Sequence, residues 1–166
     1  MERIFSHIKD KGENLYINHL RSVAKDVDAP KEKIVAMLHD LLEDTDYIES
    51  YLIKIGVPKE LRDAVKSLTR IQTQSYKDYI NNICINEKSF VLRVKLADLK
   101  NNMDISRISN PTKEDKERIR KRYMPAYTQI EKRLEQIKFE NNDLEEFLKK
   151  QGTYEYLKSA IDKWGK

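Results

Sequence analysis

Cys84 is the only cysteine, so an internal disulfide is excluded and a reducing compartment is expected. Glycine and proline are scarce as well, four of each in 166 residues, and no Gly-rich phosphate loop, internal repeat or low-complexity tract appears. With so few breakers and so much Lys, Glu, Leu and Ile, the expected fold class is all-α. No apolar run approaches the length of a membrane span, and Met1-Glu2-Arg3-Ile4-Phe5-Ser6 lacks the pattern of a signal peptide. A large excess of one charge is missing too: 32 basic residues face 28 acidic ones, which speaks against a nucleic-acid polymer as partner. The expectation is a soluble, cytoplasmic protein without a membrane partner. Its length suits one domain with a real core and is short for two.

What is present is concentrated in Met37-Leu38-His39-Asp40-Leu41-Leu42-Glu43-Asp44-Thr45. Asp28 is placed to cap a helix, Pro30 suits its first turn, and Lys31 to Leu42 follows without a breaker. Ile34, Met37, Leu38, Leu41 and Leu42 recur at three and four, the stripe of a core-facing helix. His39 and Glu43 then stand one turn apart, as do Asp40 and Asp44, near a helix C-terminus whose partial charge favours a cation. Any of these side chains alone reads as solvated surface or hydrogen-bonded core. His-Asp followed by Glu-Asp reads as a site.

The rest of the chain supplies its surroundings. An opening helix uses Ile4, Phe5 and Ile8, and Gly12 ends it or turns the loop that follows, where Lys9 and Lys11 flank Asp10. The helix from about Asn14 to Lys25 turns His19 inward beside Leu15, Leu20 and Val23; His7 has no motif around it. Gly56 closes a helix, Pro58 opens another, and Ser75 caps a third. Ser89 to Ile105 predicts a central buried helix, because its apolar residues cover nearly all sides. Its β-branched residues also allow a short strand, but the pattern runs on through Asp98 to Asn102. A carboxylate inside such an element needs a cation: Lys95, one turn earlier, is the structural answer for Asp98 and a bound metal the functional one. Asn102 projects from the same face. Beyond Asn110-Pro111, Thr112 with Asp115 starts a helix that Pro125 should kink, Asn141-Asn142 makes a loop, and short helices from Leu144 and from Thr153 finish the chain.

His19, His39, Asp40 and Asp98 form a mixed nitrogen and oxygen set that suits Mn²⁺ or Fe²⁺, tolerates Zn²⁺ and is less natural for Mg²⁺. Such a metal lowers the pKa of water and polarises a phosphoryl oxygen, the requirements for hydrolysing a phosphate ester. Glu43 and Asp44 stand one turn further on, placed to orient the water or move its proton.

These residues, in this order, resemble the H…HD…D signature of the HD-domain metal-dependent phosphohydrolases. His39-Asp40-Leu41-Leu42-Glu43-Asp44-Thr45 resembles the HDxxEDT motif of the hydrolase domain of the Rel/SpoT homologues. Val94-Lys95-Leu96-Ala97-Asp98 is similar to their VKLAD segment, and Gly12-Glu13 through Tyr16 to His19, then Val23-Ala24, to their GEPYxxHxxxVA start. The resemblance spans about residues 7 to 135 and implies a single HD-type domain, with a core of about residues 1–137 and a helical extension of about residues 138–166. It implies a stand-alone hydrolase that removes the 3′-pyrophosphate of pppGpp or ppGpp, a phosphorylated nucleotide, to leave pyrophosphate and GTP or GDP. Mn²⁺ would sit on His19, His39, Asp40 and Asp98, with Glu43 and Asp44 as the catalytic acidic pair and Asn102 near the substrate. Lys9 and Lys11 are nearest to the family's basic pair that holds the base, and Lys100 and Arg107 are further cations for the phosphates. The chain departs from the family after the aspartate, where Leu99-Lys100-Asn101-Asn102 replaces Arg-Leu-His-Asn. Two other readings fit the residues: an HD nucleotidase for another nucleotide, and a nucleotide sensor without catalysis.

Overall fold

The computed structural model describes residues 2–5, 7–10, 14–108, 110–155 and 157–159. Among them the regular structure is helical, and the one β element is an isolated bridge between Lys9 and Leu15. The chain divides into two units, Met1–Glu131 and Lys132–Lys166. In the first, α1 (Glu2–Phe5), α2 (Tyr16–Lys25), α3 (Pro30–Leu38) and α4 (Leu41–Asp44) are followed by α5 (Glu49–Lys54) and α6 (Lys59–Leu68). Then come α7 (Tyr76–Asn86), α8 (Ser89–Met103), a 3₁₀ turn (Ile105–Arg107), α9 (Lys113–Arg118) and a π-helical segment (Ile119–Tyr123). The boundary between the units falls inside α10 (Met124–Lys150).

As its all-round hydrophobicity requires, α8 is the buried centre of the first unit, packed by α2, α3 and α6. Phe90, Val91, Leu92, Val94, Ala97 and Leu99 are buried, and Lys95 and Asp98 are buried with them. Ser75 caps α7 by accepting the Asp78 N–H, and Thr112 and Asp115 form a reciprocal capping box on α9, each taking up an otherwise unpaired amide. Gly56 ends its helix at φ 80°, a backbone angle that side chains rarely adopt.

Three local expectations are corrected. The helix over Lys31–Leu42 is broken: α3 stops at Leu38, and Asp40 sits in the bridge region at φ −98°, ψ 1°, before α4 begins. Its cap is not Asp28, because the Glu32 carboxylate accepts the Ala29 and Asp28 N–H groups at 3.1 and 3.3 Å. The buried face of α3 carries Val35, Ala36 and Leu38, and Ile34 is exposed. Where Pro125 is expected to disturb the helix, a π segment ends at Tyr123: the proline ring would clash with the carbonyl four residues before it, at Lys121, and a wider turn accommodates it.

In the second unit the expected Asn141-Asn142 loop is absent, since α10 continues through both to Lys150. Exposed pairs at one-turn spacing, Lys149 with Glu145 at 2.7 Å and Lys150 with Glu146 at 2.8 Å, support its last turns. The final helix expected from Thr153 lies largely outside the described residues. No helix among the described residues is long and apolar enough to cross a membrane.

Candidate metal centre

Three elements converge on one point. The inward face of α2 delivers His19, the break between α3 and α4 delivers His39 and Asp40, and buried α8 delivers Asp98. His19, His39 and Asp40 present ligand atoms within 4.8 Å of one another, a spacing suited to one cation. Asp98 Oδ1 stands 3.3 Å from His19 Nε2 and 3.6 Å from His39 Nε2. The helix break has a purpose here. Adjacent residues of a continuous helix diverge by about 100°, whereas the turn at Asp40 folds its Oδ2 back to 2.9 Å from His39 Nε2 and 3.4 Å from His19 Nε2.

Each of these four side chains is oriented by a hydrogen-bond partner. His39 Nδ1 bonds the Ala36 carbonyl at 2.7 Å, and His19 Nδ1 bonds Asn101 Oδ1 at 2.7 Å. Both acceptors take an N–H, which leaves the two Nε2 atoms as lone pairs facing the carboxylates. Asp98 Oδ2 accepts from buried Lys95 at 2.7 Å, and Asp98 Oδ1 from the Asn102 amide at 2.6 Å. Tyr16 donates its hydroxyl to Asp40 Oδ2 at 2.6 Å, and its ring stacks on Phe5 with centroids 5.5 Å apart.

The donor set fits a divalent cation. His39 Nε2 is buried and has no hydrogen-bond partner among the described residues, although Asp40 Oδ2 lies 2.9 Å away. A lone pair that close to a carboxylate is repelled unless positive charge stands between them. The same demand appears in the acidities. Burial opposes charging of either imidazole, but Asp40 and Asp98 overcome it and push His19 up to about 9 and His39 up to about 10. Burial likewise opposes both carboxylates, yet His39 and His19 hold Asp40, and Lys95 with the imidazoles holds Asp98, below the usual range.

Of the acidic pair, Glu43 accepts the Arg70 N–H at 3.0 Å, joining α4 to the loop before α7. Burial, followed by the nearby Asp40 charge, pushes the Asp44 carboxyl up despite the nearby Tyr16 hydroxyl. Both line a cavity of about 190 Å³ with Asp40, Asp98 and Asn102. A neighbouring cavity of about 270 Å³ shares Tyr16, Asn102 and Tyr123 with it and reaches Lys9, Asp10 and Arg118.

The expected cations separate in the structure. Lys9 lines the larger cavity, and Lys11 lies outside the described residues. Arg107 lines it too, but its guanidinium pairs with Asp10 at 2.6 Å and donates to Asn101. It thereby fastens the loop before α2 to the residue that holds His19. Lys100 is not brought to the centre: two residues after Asp98 it faces the other side of α8, where it pairs with Asp26 at 2.8 Å. Sequence reasoning missed Asn101, Arg70, Tyr76 and Arg122 as site neighbours, and gave Tyr16 no role of its own. Tyr16 alone carried a signal, since it stands in the motif-like run before His19.

No family model matches the chain, and no curated protein matches it. Among solved structures, it is similar to a chain described as "A metazoan ortholog of SpoT hydrolyzes ppGpp and plays a role in starvation responses". The TM-score is 0.65, the sequence identity 21%, and the similarity covers 80% of each chain. The chain has the HD-domain fold.

Within this HD fold, the contact from Tyr16 is testable by itself. Tyr16→Phe keeps the ring on Phe5 and removes only the donor to Asp40. Metal affinity in a Mn²⁺ titration is expected to fall by about tenfold, at the low end for loss of an outer hydrogen bond. Unchanged affinity would reduce Tyr16 to a packing role.

Proposed function

We propose that this chain is a metal-dependent phosphohydrolase that removes the 3′-pyrophosphate of (p)ppGpp-like nucleotides, leaving GDP or GTP. The carrying observation is the pair of lone-pair imidazole nitrogens facing two carboxylates, at the wall of a cavity that Glu43 and Asp44 also line. The HD-domain fold, shared with a chain described as hydrolysing ppGpp, supports the choice of reaction. We assign His19, His39, Asp40 and Asp98 as ligands of one divalent ion; the mixed nitrogen and oxygen donors suit Mn²⁺ or Fe²⁺, and the resemblance to the HD-domain phosphohydrolases favours Mn²⁺. The assignment treats the whole chain as one HD-type domain with a C-terminal helical extension.

A bound divalent cation supplies Lewis-acid polarisation of the phosphoryl group and a more acidic water. The protein's own groups do the rest. Glu43, held by the Arg70 amide, and Asp44, pushed up by burial, orient the water and handle its protons. The water oxygen bonds to phosphorus, the ribose 3′-oxygen–phosphorus bond breaks, and the 3′-oxygen takes a proton. Asn102, shared by both cavities and bonded to Asp98, stands where nucleotide and metal site meet. The larger cavity, with Lys9 on its wall, receives the nucleoside side of the substrate.

The test is a nucleotide screen under Mn²⁺ with products separated chromatographically. Release of GDP and pyrophosphate from ppGpp is the expected result, abolished by chelation. Release of orthophosphate from a nucleoside monophosphate, with ppGpp untouched, would replace this reading with a general nucleotidase. Binding without turnover would make the protein a sensor.

A further inference from the structure

Three residues that line the smaller cavity carry buried donors without a hydrogen-bond partner among the described residues. Buried side-chain polar atoms without a hydrogen-bond partner among the described residues are His39 Nε2, Arg62 Nε, Arg70 Nε, Tyr76 Oη and Arg122 Nε. The first belongs to the metal centre, and Arg62 lies within 3.9 Å of Glu49. The other three residues all line the cavity that contains Asp40 and Asp98. Buried donors are rarely left unpaired, and three around one space mark a place where acceptors belong.

Their support is rigid. The Arg122 guanidinium lies over the Tyr76 ring, 3.9 Å from its centroid, and 5.8 Å from the centroid of Tyr123. Arg122 stands in the π-helical segment, whose wider turn brings the adjacent Arg122 and Tyr123 to the same cavity. Arg70 is fixed by donating to the Gln74 carbonyl at 2.9 Å, and its amide holds Glu43. The third cation of this cavity, Lys95, is already committed to Asp98. Arg70 and Arg122 therefore keep donor capacity for a ligand.

We propose that Arg122 and the Tyr76 hydroxyl, with Arg70 beside them, form the receptor for the departing diphosphate. The inference rests on the phosphohydrolase reading and deepens it. A group that spans from the metal centre to this wall needs anionic oxygens at both ends, and a diphosphate has them. A single phosphate satisfies one end only. Guanidinium groups match phosphate oxygens with paired donors, and the ring beneath Arg122 holds its plane in place. Because Asp40, Glu43, Asp44 and Asp98 line the same cavity, the receptor attracts an anion only when a divalent cation offsets them.

The experiment is calorimetric titration of the Mn²⁺-supplemented protein with inorganic pyrophosphate and, separately, orthophosphate. Wild type is expected to bind pyrophosphate at least tenfold more tightly than orthophosphate. Arg122→Gln is expected to weaken pyrophosphate by about tenfold or more, the range for losing a charge-assisted hydrogen bond. Tyr76→Phe, which keeps the ring under the guanidinium, is expected to weaken it by about fivefold. A second arm titrates pyrophosphate into protein saturated with GDP. Retained binding places the diphosphate on the leaving-group side, whereas complete displacement by GDP assigns the wall to the 5′-diphosphate and overturns the proposal. Equal pyrophosphate affinity in folded wild type and both variants overturns it as well, as does wild type that binds no pyrophosphate. Hydrolysis of ppGpp by wild type is scored separately, so the receptor can fall while the reaction stands.

Discussion

Asp98→Ala is expected to lose tight Mn²⁺ binding and to cost about 3–5 kcal/mol of stability, the range for removing one partner of a buried ion pair. The two losses have different origins. Asp98 Oδ1 faces both imidazoles, where we propose the metal binds, and Asp98 Oδ2 neutralises Lys95. Lys95 is only 9% exposed, with its ammonium 5.3 Å from the Tyr79 ring centroid. Burial alone would lower the lysine, but the Asp98 charge holds it well above its ordinary value. Without that carboxylate, a buried ammonium keeps only weak ring contacts and must either shed its proton or open the helix packing. The double variant Asp98→Ala/Lys95→Met separates the effects. It should recover most of the lost stability in denaturant melts and none of the metal by elemental analysis. Equal metal content in Asp98→Ala and wild type would remove Asp98 from the ligand set. An unchanged melting midpoint would show that Lys95 finds another counter-charge.

The parts of this molecule legible from sequence are those governed by short-range chemistry. Ser75, Gly56 and the Thr112–Asp115 pair mark element ends because a cap is settled within one turn of chain. α8 was legible because a helix apolar on all sides has only one place to go. The break at His39-Asp40 was not, since nothing in the local composition forbids a continuous helix there. The turn is stabilised instead by partners distant in sequence: Tyr16 on Asp40 and Arg70 on Glu43. Charge assignments failed for the same reason. Lys100 and Arg107 read as available cations until packing gave them Asp26 and Asp10 as partners. Arg70, Tyr76 and Arg122 come from separate stretches, so no spacing rule could bring them to one cavity. The widened turn that presents Arg122 depends on how the chain accommodates Pro125, where a kink alone was the simpler expectation.

Glu43→Gln and Asp44→Asn are each expected to retain metal while turnover of ppGpp falls by about 10²-fold or more, the usual scale of general acid–base assistance. Asp40 and Asp98 place carboxylate oxygens 2.9–3.6 Å from the imidazole Nε2 atoms, whereas Glu43 and Asp44 line the cavity beside them. Their anchoring differs, which gives the pair an internal control. Glu43 Oε2 accepts the Arg70 amide, and a glutamine carbonyl can take over that bond, so Glu43→Gln preserves the loop and removes only the charge. Asp44 is pushed up by burial and by Asp40, placing its proton exchange nearer neutrality than that of an ordinary carboxyl. Asp44→Asn leaves the chain's length and shape but cannot exchange a proton. Loss restricted to kcat, with KM and bound Mn²⁺ near wild type, would identify groups acting on the water and the leaving oxygen. Loss of metal together with activity would place the altered residue among the ligands. A rise in KM at constant kcat would make it a substrate contact instead, and the work of moving the proton would pass to the remaining carboxylate.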